Sequence, residues 1–264
     1  MASFRTMEPE LQASIELTNL RVVAVDGGTA TGKGRLIMEL ASLMRSKGVP
    51  VIHLSTGSLY RAVTYVSLQL TRTQVSARRT KSESEILAGS VALLRETDEK
   101  KMLSLAIDRH IEMHSGAVWI DGKPADVDEQ LKGPGVGNGV PIVAANLGVR
   151  QLVNRLTRLQ VNEFDGYVLI DGRDISYQVV PDAPLKLLLT VAPQIAAQRS
   201  QERTMEEIIA TDDADRRHRY GALKHPEDPG EGVRVLPTDD HSPESVRDFV
   251  YGLMCDVFRE LPVQ

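Results

Sequence analysis

The stretch Val22-Val-Ala-Val-Asp-Gly-Gly-Thr-Ala-Thr-Gly-Lys-Gly-Arg35 decides how the rest of the chain reads. Its apolar opening, Val22–Val25, suits a strand buried on both faces. The strand runs into Gly27, four further residues, and then Gly32-Lys33, the spacing of a loop that cradles phosphate. Glycines turn the backbone tightly and aim N–H groups at phosphate oxygens. The helix that follows contributes the positive end of its dipole, and Lys33 brings a mobile ammonium to the β- and γ-phosphates. Gly27, Gly28, Thr29, Ala30, Thr31, Gly32, Lys33, Gly34 and Arg35 are therefore the expected contacts of a nucleoside triphosphate, taken as ATP with Mg2+.

Outward from the loop, strand-like and helix-like patterns alternate. Val51–Leu54, Val168–Ile170, Leu185–Leu189 and Val233–Leu236 are further short apolar runs, five in all with the first. Leu36, Leu40, Leu43 and Met44 mark one helical face, with Gly48 as its C-terminal cap. Val149, Leu152, Leu156 and Leu159 mark another. Ser242-Pro243-Glu244 opens a third helix, with Val246, Phe249, Val250 and Leu253 on its apolar face. Such alternation predicts an α/β fold: a five-stranded parallel sheet with helices on both faces and ligands at the carboxyl ends of its strands. More than a hundred residues separate the second and third runs, too many for a simple crossover, so an inserted subdomain is expected there. Within it, His110–His114 and Val118–Asp121 flank Ser115-Gly116 as a hairpin. The polar stretch Arg72–Glu85 reads as a solvated connection.

Composition narrows the class. Hydrophobic residues make up 42% and charged residues 25% of 264, the profile of a globular chain. A net charge of -5 argues against a nucleic-acid partner held by counterion release. No stretch has the roughly twenty apolar residues of a membrane span, and the N-terminus lacks a signal-peptide core. The single cysteine, Cys255, reads as a buried thiol in a reducing compartment. These features predict a cytoplasmic protein without nucleic-acid or membrane partners. A monomer suffices for the expected chemistry. Met38, Met44, Met102 and Met113 read as core filler. His110 and His114, on one strand, stand too far apart to share a metal ion.

Two other strand ends carry polar groups. Leu54-Ser-Thr-Gly-Ser-Leu-Tyr-Arg61 offers Ser55 or Thr56 as a helix cap, with Arg61 about a turn inside. Leu169-Ile-Asp-Gly-Arg-Asp174 puts Asp171 where magnesium or a substrate hydroxyl would be oriented, and Arg173 where it would stabilise phosphate in transit. One position departs from many phosphate loops, which place Ser or Thr directly after the lysine. Gly34 and then Arg35 follow here. That leaves Thr29, Thr31 or a water to serve magnesium, or the ion more weakly held, or Arg35 simply facing solvent.

Together these elements resemble the bacterial-type cytidylate kinase family. The resemblance runs from about Arg21 to the C-terminal helix. It rests on Val25-Asp-Gly with Gly-Lys-Gly34, Thr56-Gly with Tyr60-Arg61, Asp121-Gly, Asn138, Val143-Ala-Ala, Val149-Arg150, Asp171-Gly-Arg-Asp-Ile175, Pro181-Asp-Ala183 and Leu185-Lys186. It implies a P-loop nucleoside monophosphate kinase-like fold over residues 21–264 after an N-terminal extension, 1–20. An acceptor-binding insert would span about 62–150 and a short lid about 199–219. It implies phosphoryl transfer from ATP to CMP or dCMP. Arg61 and Arg173 would grip the acceptor phosphate, Arg150 and Asp174 would read the base, Asp215 would bind ribose, and Arg199 would close with the lid. Lys33, Arg173 and Arg199 are the expected catalytic residues; Thr56, Asp171 and His218 complete the acceptor set, and no protein side chain is assigned to the metal. Pro141, Thr211 and His218 stand where the family carries a serine and two arginines. His218 there is either a substrate donor or a surface histidine. Pro141, Thr211 and His218 keep open the same kind of kinase acting on a modified nucleotide or biosynthetic intermediate, and Arg35 with the missing arginines keeps open a catalytically silent nucleotide-binding regulator.

Overall fold

A computed structural model describes residues 15–76, 82–125, 127–133, 135–200, 203–217 and 220–262, apart from the side chain at 128. All five apolar runs form strands: β1 (Val22–Gly27), β2 (Val51–Ser55), β6 (Tyr167–Gly172), β7 (Leu185–Thr190) and β8 (Val233–Pro237). They build one sheet in the order β2-β6-β1-β7-β8, every neighbouring pair parallel, with helices around it. β1 lies at the centre, and the chain leaves it towards β2 on one side and later reaches β7 on the other. The carboxyl end of β1 is thus the topological switch point, where ligands bind in open α/β sheets. The register aligns the strand ends there: Val25 and Ser55 each pair with Asp171, Asp26 with Gly172, and Gly27 with Leu189.

The chain divides into two compact units, one comprising Thr56–Gln160 and the other Glu16–Ser55 with Val161 onward. The second unit holds the sheet. On one sheet face, α1 (Lys33–Ser46) and α9 (Pro243–Val257) pack against β1, β6 and β7. Leu36, Ile37, Leu40, Ala41 and Met44 from α1 meet Val246, Val250, Tyr251 and Met254 from α9 in a core with Val23, Val25, Leu169 and Leu187. Val22, Ala24, Val168 and Ile170 are buried too, so β1 and β6 are covered on both faces. Two expected core residues face out instead. Met38 is 62% and Phe249 55% exposed, because each lies one helical position off its buried stripe. Cys255 is only half-buried.

Local signals explain the ends of these helices. Gly48, at φ 73°, closes α1: its N–H reaches Arg45 O at 2.9 Å, and Val49 N–H reaches Met44 O at 2.9 Å. Ser242 caps α9 by accepting the Ser245 N–H, with Pro243 as the first helical residue. Asn19 ties the chain ahead of β1 to the corner before β6, its side-chain amide facing the carbonyls of Val161, Phe164 and Gly166 at 2.8–3.1 Å.

The other unit is built on a long helix, α2 (Thr56–Ser76), which packs against α3 (Glu83–Arg95), α4 (Glu99–Asp108) and α5 (Val136–Ala144). The stretch read as a solvated connection is mostly helical. Arg72–Ser76 extends α2, and Ser82 begins α3 through a capping box with Glu85; residues 77–81 lie outside the described residues. The hairpin about Ser115-Gly116 forms from β3 (Glu112–His114) and β4 (Ala117–Ile120), and β5 (Lys123–Pro124) adds a third antiparallel strand. It starts later than expected, since His110 adopts φ 43° ahead of β3. In α6 (Leu147–Glu163) the buried face is Val149, Leu152, Val153, Thr157 and Gln160; Leu156 and Leu159 are only part-buried.

Candidate active site

The loop after β1 is held closed by its own neighbours. Gly27 sits so near β7 that a Cβ there would lie 2.7 Å from Leu189 O and 2.8 Å from Thr31 Oγ1. No larger residue fits without moving backbone. Gly32, at φ 90°, turns the chain into α1, and the buried Thr31 hydroxyl donates to Gly28 O at 3.1 Å. Lys33, in the first turn, folds back over the loop. Its ammonium donates to the carbonyls of Gly27 and Gly28, each at 2.7 Å, and lies 3.4 Å from Thr31 Oγ1. Burial, and then the Arg173 guanidinium, push Lys33 down to about 7 against the pull of Asp171, Asp212 and Asp26.

Beside the loop, the end of β6 carries Asp171, Arg173 and Asp174. His53 Nε2 on β2 lies 2.7 Å from Asp171 Oδ1. Burial raises the Asp171 carboxyl, but the bond and charge of His53, the Lys33 ammonium and the Ser55 hydroxyl outweigh it and hold the group below the usual carboxylate range. Arg173 spreads its guanidinium across the loop: Nη1 donates to Gly27 O at 2.9 Å and Nη2 to Thr29 Oγ1 at 3.2 Å. It also pairs with Asp212 at 3.4 Å and Asp215 at 3.2 Å. Both acids belong to α8 (Met205–Arg216), which begins with a capping box between Thr204 and Glu207. Asp174 is buried immediately before the short turn Ile175–Val179.

Asp26 organises this turn. It is 2% exposed, and its two carboxylate oxygens accept the N–H groups of Ile175 at 2.7 Å and Ser176 at 2.9 Å. The carboxylate thus ties the residue before the phosphate loop to the segment after Arg173. Its burial pushes the carboxyl up despite those bonds and the Lys33 charge.

On the other side of the loop lies a cavity of about 480 Å³, lined among others by Thr31, Arg35, Leu189, Arg199, Thr238 and His241. Arg199, on α7 (Pro193–Ser200), donates to Thr238 Oγ1 at 2.9 Å and Thr238 O at 2.5 Å. Thr238 Oγ1 in turn lies 3.2 Å from Thr31 O, so the Arg199 side chain reaches the loop through one threonine. Arg35 keeps its side chain 59% exposed and pairs with Glu39 at 2.8 Å and Glu244 at 3.6 Å, so it faces solvent at the cavity rim.

Lys33, Asp171, Arg173 and Asp215 therefore converge with the loop, and Arg199 lies at the cavity wall. Thr56, Arg61 and Arg150 belong to the other unit. Thr56 is buried as the first residue of α2, and Arg61 is exposed on that helix. Arg150 is buried, with Nε donating to Ala144 O at 2.7 Å and its guanidinium 5.6 Å from the centre of the Tyr60 ring. His218 lies outside the described residues. Sequence reading passed over Asp26, His53, Asp212 and Thr238 as functional groups. Only Asp212 left a usable signal: three residues before Asp215 in a helical segment, it shares that residue's face.

A central parallel strand ending in a lysine-closed glycine loop, with an acid at the end of the adjoining strand and an arginine just after it, defines a P-loop α/β fold of the nucleoside monophosphate kinase type. The cytidylate kinase family profile matches residues 23–250. Cytidylate kinase 1 of Borrelia garinii subsp. bavariensis is 26% identical over 212 residues, covering 77% of this chain and 84% of its own. The cytidylate kinase of Desulfitobacterium hafniense is 29% identical over 245 residues, covering 89% and 92%. A probable cytidylate kinase of Vairimorpha ceranae is 28% identical over 240 residues, covering 88% and 95%. The chain belongs to the cytidylate kinase family.

Proposed function

We propose that this protein transfers the γ-phosphoryl group of ATP to a nucleoside monophosphate, with CMP or dCMP as the preferred acceptor. The observation that carries the reading is the joint placement of Lys33 and Arg173 on the phosphate loop, in a chain of this family. Lys33 and the loop amides hold the triphosphate, whose nucleoside takes the cavity beside Arg199 and His241. Arg61, on α2 just ahead of the insert of about 62–150, and Arg173, directly after β6, bring the acceptor phosphate into line. Arg150 and Asp174 read the base, Asp215 binds the ribose, and the lid of about 199–219 brings Arg199 to the transferred charge. Forked guanidiniums suit phosphate oxygens, and an acceptor that is already an oxyanion needs no general base. Catalysis then consists of positioning and electrostatic stabilisation, with water excluded on closure.

Magnesium suits the oxygen donors present. Asp171 is held ionised at the end of β6, so it would bind the ion together with nucleotide phosphates and water. Bound there, magnesium would neutralise charge on the transferring group.

A second reading, a kinase of the same fold with another small acceptor, is favoured by two positions. Pro141 stands inside α5, and the Thr211 hydroxyl donates to Glu207 O of its own helix at 2.7 Å. Neither supplies the charged or hydroxyl contact that the resemblance places there. A coupled assay of ADP release across a panel of nucleoside monophosphates separates the readings. Turnover fastest with CMP or dCMP supports the first, and turnover only with a different acceptor supports the second. ATP binding without turnover on any acceptor would leave a nucleotide-binding regulator.

A further inference from the structure

One contact of the loop has no place in that reaction. Asp212 lays its carboxylate on the phosphate loop itself. Oδ1 accepts both the Thr29 N–H at 2.9 Å and the Thr29 hydroxyl at 2.8 Å. Oδ2 presses on Gly28 so closely that a Cβ added there would lie 2.3 Å from it. The same oxygen that holds Thr29 stands 3.4 Å from Arg173 Nη1, while Asp215 on the same helix face takes Arg173 Nε at 3.2 Å. The carboxylate is largely enclosed, its side chain 14% exposed. A carboxylate accepting a backbone N–H, a hydroxyl and an arginine makes the bonds a phosphate oxygen would make in this loop.

We propose that Asp212 is a built-in competitor for nucleotide phosphate: in the free protein its carboxylate occupies the anion-binding mouth of the loop, and an incoming polyphosphate must displace it. The inference rests on the loop being the triphosphate site. Displacement frees the Thr29 donors and takes one carboxylate off Arg173, which Asp215 and Gly27 O still hold, so α8 couples occupation of the loop to the charge around the arginine assigned to the acceptor. It also sets a threshold. A ligand bearing several charges repays the loss of the Asp212 contacts, whereas a single weak anion does not. Because only the fraction of molecules with the carboxylate withdrawn can bind, apparent affinity falls by that fraction.

The test is calorimetric titration of pyrophosphate and ATP into the full chain, comparing the unaltered protein with Asp212→Asn and Asp212→Ala. Asp213→Asn serves as a charge control, since Asp213 pairs instead with Arg216 at 3.1 Å. Both Asp212 variants should bind pyrophosphate about tenfold more tightly, in line with removal of a competing conformer. The control should stay within twofold of the parent, a margin allowed for screened surface charge. Unchanged or weaker binding in the Asp212 variants would overturn the proposal, as would equal tightening in Asp213→Asn, which would reduce the effect to net charge. In the unaltered protein the Thr29 amide should exchange slowly with solvent before any ligand is added; rapid exchange would also overturn it, whether or not the variants fold. ADP release measured on the same samples separates this from the kinase reading. Tighter pyrophosphate binding without turnover leaves the competitor in place and removes the kinase, and turnover with unaltered affinities does the reverse.

Discussion

Lys33 concentrates the chemistry of the site in one ionisable group. Its ammonium is satisfied by loop carbonyls, yet burial and Arg173 push it down to about 7. A bound polyphosphate adds negative charge and raises that value again, so binding takes up a proton when the solution is more basic than about pH 7. At pH 8 the heat of ATP binding should therefore vary with the ionisation enthalpy of the buffer, with an uptake approaching one proton. Affinity should weaken as pH rises through that range, and buffer-independent heats would remove Lys33 as the group responsible. Lys33→Ala should abolish turnover in the ADP-release assay while leaving the circular dichroism spectrum unchanged. Gly27→Ala tests the loop by shape alone. Its Cβ would meet Leu189 O at 2.7 Å, a backbone atom that cannot swing aside. Triphosphate binding should weaken more than tenfold by titration, a loss of about 1.4 kcal/mol or more.

At the scale of elements, the site depends on helix ends. α1 carries Lys33 at its start and is closed at its other end by Gly48 in the left-handed region. Nothing lies within 4 Å of a Cβ added at Gly48, so Gly48→Ala isolates the conformational cost. It should destabilise the protein by about 1 kcal/mol and lower the melting temperature by about 2–4 °C in a calorimetric scan. Triphosphate affinity should not change, because the cap lies at the far end of the helix from the loop. α8 differs from α1 in that its functional face is acidic. Asp212 and Asp215 meet Arg173, whereas Asp213 points to Arg216.

At the scale of the whole molecule, the core under the sheet holds the strand ends in register, and that register brings Asp171 beside both Val25 and Ser55. Leu187 is fully buried in β7, next to β1. Leu187→Ala should cost about 2–5 kcal/mol in denaturant unfolding, from lost transfer energy and the cavity left behind. Phe249→Ser, on the same core's outer helix but 55% exposed, should stay within about 0.5 kcal/mol of the parent. The contrast separates the buried stripe of α9 from its solvent face.

Hydrophobic runs with loop spacing were enough to read the five strands, their parallel pairing and the phosphate loop, because burial on both faces and tight glycine turns leave local marks. The three antiparallel strands were legible in part: the turn at Ser115-Gly116 stood out, but β5 is two residues long and carries no pattern. Helix faces were less legible. Phe249 and Met38 sit beside buried stripes and share their apolar character, and only packing decides which side of the stripe is covered. The candidate site divides in the same way. Lys33, Asp171 and Arg173 could be named from their places at strand ends, since chain direction alone puts those ends together. Their partners could not, beyond the helix face that Asp212 shares with Asp215. His53 on Asp171, Asp26 on the turn after Arg173, Thr238 under Arg199 and Asp212 on the loop are joined across 39 to 183 residues of chain. The sequence determined which polar groups gather at the strand ends around the glycine loop. Which acids and hydroxyls hold them was decided only by the tertiary structure, because contacts between distant segments depend on register and helix rotation that no local pattern encodes.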